Sequence, residues 1–238
     1  SLSLNSGSFN TAIGRASAAG MSMINTSSVV AIGDQALLNN TGSYVVGVGS
    51  EAGSNNTASD LVAIGTSAGY GNIGNSPVFI GFEAGQSNSG VEAVAVGRVA
   101  GGNNTGNALA ALGPVAGNSN SGVNVVAVGA LAAFFNTGGN TIGVGFEAAR
   151  QNSGLRLVGI GGRAGYLNSG DAVIAIGNRA GDSNSGDSVI VLGNQAGIGN
   201  PLNGQFIVAN TSMPTFTNHA AAVAAIQPTG IVGNTYLY

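Results

Sequence analysis

The sequence has no cysteine, no tryptophan and no lysine, and only 6% of its 238 residues are charged. Without cysteine there is no disulfide framework and no thiolate metal site. Scarce charge beside 44% hydrophobic residues argues against disorder, because disordered chains are charge-rich and poor in Val, Ile and Leu. A net charge of −3 with no basic run leaves no footprint for nucleic acid. No apolar stretch reaches the roughly 18 residues of a membrane-spanning helix, so membrane insertion is not expected. The chain opens at Ser1 with no leader pattern, as a processed or trimmed chain does. What is abundant is glycine, 42 residues, and these do not fall at every third place, which excludes collagen. The length allows one or two globular domains, or one elongated one.

One repeat organises the chain. An aliphatic residue followed by Gly recurs every 16 residues at Gly33, Gly49, Gly65, Gly81, Gly97, Gly113, Gly129, Gly145, Gly161, Gly177 and Gly193. Three residues after each Gly stands an Ala, from Ala36 to Ala196. Seven after it stands an Asn: Asn40, Asn56, Asn72, Asn88, Asn104, Asn120, Asn136, Asn152, Asn168, Asn184 and Asn200. An irregular copy around Ile13-Gly14 precedes Gly33 by 19 residues, and a degenerate one closes at Ala209. Each apolar run is short, β-branched and closed by Gly, which favours strand over helix. A 16-residue unit has no room for a helix plus a strand. Each repeat therefore reads as one coil of a parallel β-solenoid, with two short strand legs and two bends. Like residues stack about 4.8 Å apart, so eleven regular coils give a rod roughly 50–55 Å long.

The columns carry expected roles. The large aliphatics before each Gly, such as Ile32, Ile64 and Ile176, with Val30 and its equivalents two places earlier, are expected to fill the coil. The opposite face carries small residues two before Gly (Ala31, Gly47, Ala63) and apolar ones four before it (Val29, Val45, Leu61). A strand apolar on both faces is buried on both sides. The second face is therefore expected to meet another copy of the chain. The Asn column is expected at a bend, bonding local backbone and the same Asn one coil away.

The runs Val29-Val30-Ala31-Ile32-Gly33, Asp60-Leu61-Val62-Ala63-Ile64-Gly65 and Ala172-Val173-Ile174-Ala175-Ile176-Gly177 resemble the head repeats of YadA-like trimeric autotransporter adhesins. The resemblance covers about residues 10–209. It implies a left-handed, trimeric parallel β-roll. The 16-residue period is longer than the family's usual spacing, and the extra residues lie at the Asn-Ser-Gly bend. Related repeats occur in viral fibres. After Pro214, the Ala-rich stretch Ala220 to Ala225, Pro228 and the run Ile231 to Tyr238 read as a capped helix and a strand. These resemble short C-terminal modules of phage tail-fibre proteins, where such a module would cap the solenoid end. The organisation expected is thus irregular coils over 1–28, the β-roll over 29–209 and a helix–strand cap over 210–238.

Chemistry has few candidates. His219 is the only histidine and has no nearby carboxylate in sequence. Asp34, Glu51, Glu83 and Glu147 follow the strand Gly by one or two places and read as solvated residues. Glu147, Arg163 and Arg179 are spaced by 16, so they form one surface column: a charge ladder or, alternatively, a site for phosphate or a sugar acid. Gly143-Val144-Gly145 mimics part of a dinucleotide fingerprint but lacks the following helix. Calcium-binding solenoid repeats need a regular Asp that is missing here. Tyr70, Phe134, Phe135, Tyr166 and Leu167 stand where other coils carry polar or small residues, and Phe82 and Phe146 follow a strand Gly directly. Exposed aromatics stack on sugars or anchor protein partners.

The sequence thus points to a non-enzymatic, all-β rod, without cofactor or metal, most simply a homotrimer. Its expected role is rigid display or attachment as a fibre segment on a virion or bacterial surface, with a cell-surface glycan or protein as receptor. The alternatives are a self-assembling filament subunit without receptor and, more remotely, an ice-binding solenoid, for which the mixed column Thr41, Thr57, Ile73, Ser89, Thr105 is a poor fit.

Overall fold

The computed structural model describes residues 10–20 and 27–209. The expected helix–strand cap over 210–238, His219 within it, and residues 1–9 and 21–26 lie outside the described residues. Thirteen short strands, numbered in chain order from β1 (Thr11–Ile13) and β2 (Val30–Ile32) to β13 (Phe206–Val208), form one parallel sheet in strict sequential order. The register keeps like positions in line: Ala31 pairs with Gly47, Ala63 with Phe79, Ile160 with Ile176. β1 joins the same register with β2 despite the 19-residue offset. The fold is therefore a β-solenoid of 16-residue coils, and no helix occurs among the described residues.

Each coil has one strand leg, not two. The residues from the strand Gly to the Asn form three overlapping turns, each closed by an amide bonding the carbonyl three residues back, as in Ala52 to Gly49, Ser54 to Glu51 and Asn56 to Gly53. The third residue of each turn, here Glu51, Gly53 and Asn55, has positive φ, and the second does not. That combination is a type II turn. The positive-φ residues aim their amides along the rod: Glu51 and Asn55 bond carbonyls of the preceding coil, and Gly53 bonds Ala68 of the following one. From Glu51 to Asn56 every backbone donor finds a partner without a strand, which satisfies the demand that buried amides be paired.

The strand Gly closes the apolar run for a steric reason. At Gly33, Gly65 and their equivalents, φ lies near +130°, and a Cβ would come within 2.8 Å of the next coil's Gly carbonyl oxygen. No L side chain fits there, so the column is invariant.

The interior reverses the sequence expectation. Ala31, Ala63, Ala95, Phe79 and Val191, two before each Gly, are fully buried, as are Val29, Leu61, Leu109 and Leu157, four before it. The large aliphatics expected inside point outward instead: Ile32, Ile64, Leu112 and Ile176 are 38–46% exposed. The cause is thinness. Side chains from the strand cross directly to the backbone of the turn leg, so the Phe79 ring lies where a Cβ on Gly85 would be 2.3 Å away. Only small residues, or large ones opposite Gly, fit such a gap.

Candidate functional site

Two features of this rod could meet a partner, and a third holds the rod together. The third is the Asn column. Each Asn from Asn56 to Asn200 donates through Nδ2 to the Oδ1 of the Asn one coil earlier, ten bonds of 2.7–3.0 Å. Each Nδ2 also donates to the carbonyl two residues on, as Asn120 does to Gly122 at 2.8 Å. Ten of the eleven are wholly buried and Asn200 is 8% exposed. From Asn56 to Asn200 both hydrogens of every Nδ2 are taken, so these rungs form a structural ladder with no donor left for a ligand.

The first outward feature is the strand face. Its two columns hold Val, Ile and Leu with one break, Ala110, and carry no charge from β2 through the strand ending at Leu192. Eleven strands at about 4.8 Å give a strip about 50 Å long and about 10 Å wide. An area on the order of 500 Å² lies among the largest apolar patches of ordinary monomers. At Ala110 the strip has an open depression of about 400 Å³ between Val94 and Val126, edged by Glu92 and Asn124.

The second is on the turn leg, across the interior from the strip. There Phe134, Arg150, Tyr166 and Asp182 stack as one column, with Glu147, Arg163 and Arg179 as the column beside it. Arg150 is wedged between the rings of Phe134 and Tyr166, 5.4 and 5.7 Å from their centroids, and is ion-paired to Glu147. Arg163 lies 4.4 Å over the Tyr166 ring and 3.6 Å from Glu147. Asp182 sits between Arg163 at 3.7 Å and Arg179 at 3.1 Å. Cation–π contacts of this kind fix the guanidinium planes as well as their positions.

The residues singled out from sequence divide accordingly. Phe134, Phe135, Tyr166 and Leu167 are brought together within three coils, whereas Tyr70 lies four coils away, about 19 Å along the rod. Phe134 and Tyr166 are half-buried and take Arg150 on their faces; Phe135 and Leu167 are the exposed pair. Phe82 and Phe146 are also exposed. Of the acids, Asp34 is hydrogen-bonded to Arg15, Glu51 accepts from Ser67 Oγ at 3.3 Å, and Glu147 belongs to the arginine network. The expected column of Glu147, Arg163 and Arg179 is present, but two members of the network were missed. Arg150 and Asp182 each stand three residues after a charged partner, and that spacing was the available signal. Among the described residues no three His, Cys, Asp or Glu side chains gather as a metal site. No family model, curated protein or solved structure matches the chain.

Proposed function

We propose that this chain is a rod-like segment of an extracellular fibre that assembles side by side with copies of itself. The observation that carries the reading is the uninterrupted Val/Ile/Leu strip along the strand leg. An unbroken, charge-free apolar strip of that size is the kind of surface on which partners dock. A second copy matches it without any charge to bury. Three copies around an axis parallel to the rod is the arrangement suggested by the resemblance to trimeric adhesin heads. Rigid display follows from the stacking: every coil is tied to its neighbours by the sheet, the turn-leg amides and the Asn ladder. On this reading the fibre stands on a virion or a bacterial surface, has no enzymatic role, and holds its turn leg outward towards a receptor.

The test is the native mass of the purified chain, by sedimentation equilibrium or native mass spectrometry. A trimer supports the reading. A stable monomer at micromolar concentration overturns the assembly, and growth into long end-to-end filaments favours the filament alternative.

A further inference from the structure

We propose that the arginine–aromatic patch on the turn leg binds an anionic sugar chain, gripping the carboxylate of one unit with Arg163 and Arg179 and packing adjoining units against Leu167 and Phe135. This rests on the reading of the chain as a displayed rod but not on its oligomeric state.

The burial of the charges sets the sign of the patch. The carboxylates of Glu147 and Asp182 are 13% and 4% exposed, while the guanidiniums of Arg163 and Arg179 are 37% and 40% exposed. Acids lie beneath and cations above, so an approaching ligand meets positive charge. Three arginines face two carboxylates, and these three are half of the six in a chain of net charge −3.

The donors are also held in place. Asp182 lies between Arg163 and Arg179, and Tyr166 fixes Arg163 from below. The two arginines occupy the same position on adjacent coils, their backbones about 4.8 Å apart, and Asp182 shows that one carboxylate oxygen reaches both guanidiniums. Leu167 on the coil of Arg163 and Phe135 two coils earlier, 45% and 50% exposed, offer apolar surface on which the adjoining rings of a sugar chain can stack. The strip proposed for self-assembly lies across the interior, so copies packed there leave the patch open.

The experiment exposes the full chain to immobilised polygalacturonate, neutral dextran and dextran sulfate, and reads binding by biolayer interferometry with and without about 0.15 M salt. Binding to polygalacturonate, weakened by salt and missing on dextran, is expected. Arg179→Gln should lower affinity about tenfold, since Arg163 still partners Asp182 and no buried acid is orphaned. Phe135→Ala, outside the ion-pair network, should weaken polygalacturonate binding as well. Failure to bind polygalacturonate, or unchanged binding by Arg179→Gln, overturns the proposal. So does dextran sulfate binding that exceeds polygalacturonate and ignores Phe135→Ala, since that marks a general polyanion contact. Native mass of the same samples reports assembly separately: a monomer that binds the sugar polymer sinks the assembly alone.

Discussion

Leu37 and Gly47 share one slot in the interior: a Cβ on Gly47 would lie 2.8 Å from Leu37 Cγ and Cδ2. The pairing is general. In the regular coils, wherever the fourth residue after a strand Gly is not Gly, at Leu37, Ala133 and Ala149, the inward strand residue ten positions on is Gly, at Gly47, Gly143 and Gly159. In the remaining regular coils the fourth residue is Gly, and the inward residue is Ala, Phe, Val or Ile. Volume is thus traded across the gap between strand and turn leg.

Gly47→Ala should therefore destabilise the rod by about 1–3 kcal/mol through overpacking. Leu37→Gly should cost about 2–5 kcal/mol through a cavity. The double variant recreates the arrangement of most coils, and its cost should fall at least about 1 kcal/mol short of the sum. Denaturant unfolding of the four proteins checks this; strict additivity would show that the two residues do not compete for space.

How far the sequence alone reached follows from the same pair. The 16-residue register, the strand positions, the invariant Gly and the Asn column were legible because each is fixed by a repeated local demand. The inward face was not, because both strand faces are apolar and alternation separates faces without naming the inner one. The reciprocity of Leu37 with Gly47, and of Phe79 with Gly69 and Gly85, was the signal that could have named it. The turn leg was misread as a strand because the first of its three positive-φ positions holds Glu51, Val99, Leu131 and Arg163, not the Gly or Asn that announce such backbone.

The Asn ladder predicts a position-dependent cost. Asn120→Ala strips partners from Asn104 Oδ1, the Gly122 carbonyl and Asn136 Nδ2, all buried. At about 1–3 kcal/mol per buried group left unpaired, with some relaxation, a loss of about 2–4 kcal/mol is expected. Asn200→Ala, at the ladder's end beside exposed Leu202, lets water replace the lost partners and should cost about 1 kcal/mol or less. Equal losses at the two sites, measured by thermal unfolding, would show that the ladder is not cooperative.

Acid should loosen the first coil before the rest. Hydrogen bonds from Arg15 Nε at 2.9 Å and Nη2 at 2.6 Å hold the Asp34 carboxyl below its ordinary value. A carboxyl lowered in the folded state adds stability that is present above the unfolded value, about 3.9, and is lost as pH falls through the folded one. Protection of the first coil against protease or hydrogen exchange should therefore drop below about pH 4. Arg15→Gln should move the Asp34 titration, followed by NMR, back up to the ordinary range; an unmoved titration would mean that the pair does not persist in solution.

The apolar strip gives the sharpest test of assembly, because its side chains do little for the single chain. Val126 and Ile174 are each 37% exposed, so replacing either by Asp removes no packed core. In a lone rod such a change should cost on the order of 1 kcal/mol, since Asp also suits a strand poorly. In an assembly it places a charge in an interface without a counter-charge, which costs several kcal/mol per copy. The double variant Val126→Asp/Ile174→Asp should thus keep the circular dichroism of the parent while its native mass falls to one chain. Ala110→Val should act oppositely: it fills the depression between Val94 and Val126 and extends the flat strip, so dissociation on dilution should move to lower concentration. If both variants keep the parent's mass and dilution curve, the strip is not where the copies meet.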